Sequence, residues 1–360
     1  MGQGGAEKIV YQLASGCSSK ENKMVVVSCG GSYVEALNAH GISHVQIPDM
    51  ECKNPLIMFK IILQLIKVIR KEQIDILHSH HRMAAFYGRV LKLFFPKLKL
   101  VYTAHNVFDN KIRFTQMALS DTVIVAVGAS VKKNLIETFG IAEDRIHTIF
   151  NAVSIEEDAA ALLENKDVPS SRKHALLDRL KKDGFFLVGL IGRVSEQKGI
   201  DVFIAAMEQL VAECSKVKGI IVGDGPLKET MEQLVHDKGL DEVIFFIGYQ
   251  EDIPSIIAQL DVAAMPSRWE GFPLTPIELF AMGKTLVASN IGGINEIVKD
   301  GENGLLVAKE QEKELSDALK LLVTDHELRQ QLENQARNDY LEYYSYESFL
   351  EEYLYLYHKV

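Results

Sequence analysis

Short apolar runs rich in β-branched residues alternate with longer amphipathic segments along almost the whole chain. The run 185–191, FFLVGLI, is the clearest. It is too short for a core helix and apolar at every position, so it reads as a strand covered on both faces. Residues 24–29, 74–78, 98–103, 122–127 and 146–150 read as strands, with helices over 54–71, 83–94 and 130–139. The rhythm repeats with strands at 185–191, 218–222, 243–247, 262–265, 285–289 and 304–307, and helices at 200–214, 227–238, 275–282 and 295–298. Alternation of this kind builds βαβ units, whose strands must run parallel. The expected fold class is α/β, with two Rossmann-like, doubly wound parallel sheets facing across a cleft.

A length of 360 residues suits two domains of ordinary size. Residues 155–184 break the rhythm with polar, charged sequence around Pro169 and are taken as the junction. This places one domain at 1–154, a second at 185–340, and a Tyr-rich helix at 341–360 that would cross back to the first. A doubly wound domain opens with an apolar strand leading into its first glycine turn. Here the turn Gly2-Gln3-Gly4-Gly5 comes at once, so the first domain is expected to lack that strand, at a cost in exposed backbone and stability.

Apolar residues make up 47% and charged residues 24% of the chain, enough for two cores, which excludes disorder as its main state. Four cysteines without a C-x-x-C pair, and no secretory leader, point to a reducing, cytoplasmic setting. Residues 1–150 carry 18 Lys and Arg against 12 Asp and Glu, while the remainder carries 21 against 37. A basic first half on an acidic chain fits either an anionic partner or uneven solvated faces. Nucleic acid fits poorly, because no basic run is interleaved with aromatics.

The most informative segment is 267–307, SRWEGFPLTPIELFAMGKTLVASNIGGINEIVKDGENGLLV. Glu270 precedes and Glu278 lies within a predicted helix. The helix start offers an anion site, and two carboxylates beside it suit a ligand carrying both phosphates and hydroxyls. Spacing alone equally allows two solvated glutamates. The segment 192–199, GRVSEQKG, follows a strand and carries Arg193, a fork for phosphate, and Lys198, a point charge. Gly4 and Gly5 open a helix over 7–14. Tyr102-Thr-Ala-His-Asn ends a strand, so His105 is either structural or a partner of substrate hydroxyls. His78-Ser-His-His suggests metal at first sight, but adjacent residues of an extended segment point to opposite sides and no carboxylate or thiol joins them. No P-loop, G-x-S-x-G, H-E-x-x-H or D-x-D occurs. Stabilising a leaving diphosphate without metal would fall to the cationic loop and the helix dipole.

These segments together resemble the family 4 retaining glycosyltransferases of GT-B fold. The matching words are GGAE, YTAHN, GRVSEQKG, VGDGPLKE, the E-x7-E of SRWEGFPLTPIE, and GGINEIVKDGENGLLV, in family order over nearly the whole chain. The resemblance implies that Arg193 and Lys198 contact the donor diphosphate. It gives Glu270 the hydroxyls of the donor sugar, Glu278 the ribose, and the amides of Gly271, Phe272, Pro273 and Leu274 the sugar and phosphate. Gly5 would approach the diphosphate, His105 the transferred sugar, and Tyr249 the base. No cofactor and no metal are implied. Three departures stand out: no apolar strand precedes GGAE, Asn151-Ala-Val-Ser replaces the usual Asn-Gly-Val-Asp, and the stretch between Asn106 and Asp121 is short.

The wording EGFPLTPIE resembles transferases of bacterial surface polysaccharides such as capsule, which mostly use UDP-sugars. The implied acceptor is a glycan or lipid-linked saccharide. Lys60, Lys67 and Lys71 recur opposite Ile61, Leu65 and Ile69, and residues 89–99 mix basic and apolar side chains. Both segments fit peripheral contact with an anionic membrane or ordinary packing on the sheet. Two other functions stay open: a non-catalytic transferase-like partner subunit, and another GT-B enzyme such as an epimerase.

Overall fold

A computed structural model of the chain describes residues 4–19, 21–154 and 172–360. The chain divides into two compact units, Met1–Ala152 with Tyr346–Val360, and Val153–Ser345.

The second unit runs α7 (Ala175–Lys182), β7 (Phe186–Ile191), α8 (Ile200–Glu213), β8 (Val217–Val222), α9 (Lys228–Asp237), β9 (Ile244–Gly248), α10 (Ile253–Gln259) and β10 (Val262–Met265). It continues with α11 (Leu274–Ala281), β11 (Leu286–Ser289), α12 (Ile294–Ile297), β12 (Leu305–Val307), α13 (Glu312–Thr324) and α14 (His326–Tyr343). Its six strands form one parallel sheet in the order β12-β11-β10-β7-β8-β9. Counted within the unit this is the 6-5-4-1-2-3 order of a doubly wound sheet. The central strands β7, β8, β10 and β11 are buried almost throughout, as strands covered by helices on both faces must be. The helix α8 turns Phe203, Met207 and Leu210 into that core, at i, i+4 and i+7, and α13 packs beside it. Each such side chain contributes about 1.5–3 kcal/mol of burial free energy.

The predicted junction 155–184 needs correction at its carboxyl end. Residues 155–171 lie outside the described residues, but Ala175–Lys182 is a helix, with Leu177 and Leu180 buried and its face on β7. The sequence LLDRLKK shows only one turn of apolar spacing, and its charges mask it.

The first unit runs α1 (Gly5–Cys17), β1 (Val25–Ser28), α2 (Tyr33–Ala39), β2 (Ser43–Gln46), α3 (Pro55–Glu72), β3 (Ile76–Ser79), α4 (Arg82–Leu91) and β4 (Lys99–Ala104). Then come α5 (Ile112–Ala118), β5 (Val123–Ala126), α6 (Ala129–Glu137) and β6 (Ile146–Thr148), and α15 (Tyr346–Lys359) belongs to the same unit. Its strands form two parallel sheets, β1-β2 and β3-β4-β5-β6. The two sheets share a core without sharing a ladder. Val27 and Val45 from the pair, and Leu77 and Leu100 from the four, pack in one cluster with Ile61, Leu65 and Ile69 of α3. Both β1 and β3 are edge strands, and both are only partly buried.

Local chemistry sets the helix ends. The Asn54 side chain accepts from Leu56 N at 2.9 Å, Pro55 takes the first helical position, and the left-handed Gln73 ends α3. The Asp252 carboxylate caps α10 by accepting from Ser255 N. The sequence reading passes over α2, β2, α5 and α10, each of seven residues or fewer. The strand β2, SHVQ, offers a single apolar residue and lies at a sheet edge, so neither signal reaches its sequence.

Candidate active site

Strand order reverses between β7 and β10, the place where a doubly wound sheet binds its ligands. The loops that leave those two strands carry the predicted residues. Gly199 sits at φ +63°, and a Cβ there would stand 2.1 Å from the Pro266 carbonyl oxygen. Gly293, at φ +83°, approaches the Gly271 carbonyl oxygen as closely. Only glycine lets these backbones close on one another.

That closure brings Lys198 onto Glu270. The Lys198 Nζ donates to Glu270 Oε1 at 2.6 Å, and Gln197 Nε2 donates to Oε2 at 3.2 Å. The Lys198 side chain is 15% exposed and that of Glu270 is 7% exposed. Gln197 also donates to the Trp269 carbonyl, and its own carbonyl accepts from Arg268 N at 2.7 Å. Arg268 is anchored in turn by Asp201 and Glu310. The pair is therefore a set piece in which a buried carboxylate and a partly buried ammonium hold fixed positions. Taking two charges out of water is costly, so such a pair is poor scaffolding and well suited to a polar ligand.

The other predicted residues of this unit are placed around the pair. Arg193 is exposed on the same loop as Lys198. Gly271, Phe272, Pro273 and Leu274 are buried at the start of α11, where Pro273 supplies no side-chain cap to the first-turn amides. Glu278 is half-buried in the second turn of α11. Tyr249 is exposed beyond β9, the edge strand two places from β7, and the structure does not bring it to Lys198 or Glu270.

In the first unit, His105 is half-buried directly after β4. Its Nε2 lies 2.9 Å from His80 Nδ1. The His80 ring stands 4.2 Å from that of His78, centroid to centroid. His78 is held at both nitrogens, by Tyr357 Oη at 2.6 Å and Thr103 Oγ1 at 2.8 Å, and Thr103 meets Tyr353 Oη at 3.0 Å. Burial lowers His105 to about 4, and burial with the nearby His105 lowers His78 to about 3, so both rings are neutral at pH 7. His81 points elsewhere, capping α4 and meeting Glu51. Both nitrogens of His78, Nδ1 of His80 and Nε2 of His105 thus face one another or a hydroxyl, and among the described residues no metal-holding group forms. Gly5 is exposed at the first position of α1. Arg82 stacks on Phe108 at 4.0 Å and donates to Asn110, which fixes the loop after His105.

Sequence reasoning missed the support of both clusters. Gln197 was visible in the loop word, but nothing in sequence ties Asp201 to Arg268 or Tyr357 to His78.

Residues 175–339 match the family described as Glycosyl transferases group 1, and residues 3–157 match Glycosyltransferase Family 4. The UDP-Gal:alpha-D-GlcNAc-diphosphoundecaprenol alpha-1,3-galactosyltransferase of Escherichia coli is 27% identical over 304 residues, covering 80% of this chain and 76% of that protein. The N-acetylgalactosamine-N,N'-diacetylbacillosaminyl-diphospho-undecaprenol 4-alpha-N-acetylgalactosaminyltransferase of Campylobacter jejuni is 24% identical over 359 residues, covering 94% and 92%. Among solved structures, Anabaena HepE in complex with UDP-glucose superposes with a TM-score of 0.85 at 20% identity, over 99% of this chain and 96% of that one. With the two family matches spanning both units and the GT-B architecture shared, this chain belongs to the family 4, group 1 glycosyltransferases.

Proposed function

We propose that the protein transfers a sugar from a UDP-sugar to a glycan or lipid-linked saccharide, with retention at the anomeric carbon and without metal. The observation that carries this reading is the Lys198–Glu270 pair at the switch point, beside the start of α11. Lys198 and Arg193 take the diphosphate, and the backbone N–H groups of Gly271, Phe272 and Leu274 complete its cradle. Glu270 accepts from the sugar hydroxyls, Glu278 from the ribose, and Tyr249 is assigned to the base. Gly5 is assigned to the diphosphate and His105 to the transferred sugar. In the reaction the bond from the anomeric carbon to the phosphate oxygen breaks. The acceptor oxygen then bonds to the same face of that carbon, and the acceptor proton passes to the departing phosphate. The protein's contribution is to orient two substrates and stabilise the anion that leaves. The UDP-sugar preference draws support from the name of the E. coli relative.

The acceptor class draws support from the surface of the first unit. Leu56, Phe59 and Leu63 are exposed along α3, interleaved with exposed Lys60, Lys67, Arg70 and Lys71. Leu93 and Phe94 are exposed after α4. Among the described residues no helix is long and apolar enough to cross a membrane. A mixed basic and apolar surface of this kind suits an anionic bilayer that carries a lipid-linked acceptor, reached from the cytoplasmic side.

Thermal melts with UDP, GDP and ADP, and with UDP-glucose, UDP-galactose and their N-acetyl forms, test the donor. Uridine compounds are expected to raise Tm by mass action and the other nucleotides are not. A cooperative melt unmoved by every uridine compound would sink the donor assignment.

A further inference from the structure

His105 has two ring nitrogens, and the fold commits one of them. Its Nε2 faces His80 Nδ1 at 2.9 Å, with the two rings 5.2 Å apart and 23° from parallel. A neutral imidazole carries one donor and one acceptor, so the tautomers of the two rings are coupled: where one donates, the other accepts. His105 Nδ1 has no protein partner among the described residues. We propose that His80 is the positioning residue of His105, setting which of its nitrogens carries the proton and leaving Nδ1 to the substrate. This rests on the reading in which His105 meets the transferred sugar.

Three observations favour positioning over plain packing. A phenyl ring would fill the space of His80 equally well, yet the contact made is a hydrogen bond of good length. His80 also lies against His78, the two rings tilted 37° to each other, and His78 is held at both nitrogens by Tyr357 and Thr103. The tyrosines come from α15, which packs on α1 and is anchored there by Tyr346 Oη donating to the Gln12 carbonyl at 2.8 Å. A C-terminal helix thus holds a chain of rings that ends at His105. Outer partners of this kind fix the tautomer and ring orientation of a working histidine.

The test replaces His80 in the full chain. His80→Phe keeps the ring and removes the bond. Its kcat is expected to fall roughly 10- to 100-fold with the donor KM changed by less than about twofold. His80→Asn, whose amide stands near the position of Nδ1, is expected to recover activity to within roughly fivefold of the native protein. Nitrogen-15 spectra of histidine-labelled protein read the tautomer directly, with the His105 signal assigned by its loss in His105→Asn. One tautomer is expected in the native chain and a mixture in His80→Phe. Tyr357→Phe is expected to give a smaller change in the same direction. If His80→Phe does not fold, His80→Ala serves for the spectral comparison. An unchanged His105 tautomer in a folded variant, or equal losses in His80→Phe and His80→Asn, would overturn the proposal. Absence of transfer by the native protein would instead count against the proposed function, and the spectra would still decide the role of His80.

Discussion

The two units use the same βαβ grammar and reach different sheets. In the second, β7 lies between β10 and β8, and six strands form one ladder with two edges. In the first, β1 pairs only with β2, and β3 only with β4, so one shared core is capped by two separate sheets. Burial follows pairing. The strand β7 is hidden at five of six positions, whereas β1 and β3 each hide one of four. The lesson is that apolar patterning alone can gather strands around a core, while a continuous sheet needs every ladder position filled. The candidate residues divide in the same way. The second unit presents a charged pair at a switch point, and the first presents neutral, stacked histidines held by a helix from the far end of the chain.

The sharpest way to break this comparison is to remove the charge from the second unit. Lys198→Ala is expected to lower transfer by about 100- to 1000-fold, as loss of a positioned group facing a developing anion does. Circular dichroism should show the fold retained. Transfer within tenfold of native would end the case for this loop as the diphosphate site.

Acid separates the units next. Burial depresses His78 and His105 from 6.5 to about 3 and about 4, so the unfolded chain binds more protons than the folded one in that window. Their contribution to stability is complete above pH 6.5 and is lost as the pH falls toward 4, by at most about 1.4 kcal/mol per histidine per pH unit. In the second unit, burial raises Asp201 and Asp252, but bonds from Arg268 and Arg172 outweigh it and leave both below their ordinary value of 3.8. That unit should keep those contributions until the pH nears or passes below 3.8. Hydrogen exchange followed segment by segment from pH 7 to 4.5 should show β3 and β4 opening before β7 and β8. The reverse order would refute the assignment of acid sensitivity to the histidines.

Gly199→Ala tests the loop closure. The new methyl meets the Pro266 carbonyl at a forbidden distance and a left-handed φ, at a cost of about 1–3 kcal/mol. Chemical denaturation should show that loss together with weakened nucleotide binding. A variant as stable as the native chain would mean that the two loops are free to part. The smallest effect on stability belongs to Phe59→Asp on α3, within roughly 0.5 kcal/mol for an exposed site. Its expected readout is weaker sedimentation with vesicles of anionic phospholipid. Equal sedimentation of both proteins would remove α3 as the membrane-facing element.

Much of the fold was legible because strand and helix periods are local. The run FFLVGLI and the amphipathic 54–71 declare their elements within a few residues. Elements with weak local signal were not legible. The strand β2 carries one apolar residue, and α7 hides a single apolar turn among charges in what reads as a junction. At the candidate site, Arg193, Lys198, Glu270 and Glu278 were visible through their words. Their partners were less so, because Asp201 and Arg268 are 67 residues apart and Tyr357 and His78 are 279 apart.

The sequence by itself determined the class of fold, the parallel direction of the strands, and which loops follow which strands, since these depend on periodicity and connection length. Tertiary structure alone decided that Lys198 would pair with the buried Glu270, that the first unit's strands would form two sheets, and that Tyr353 and Tyr357 would close over His78. Those outcomes turn on backbone approaches of a few ångströms between residues far apart in the chain, and no local pattern encodes such distances.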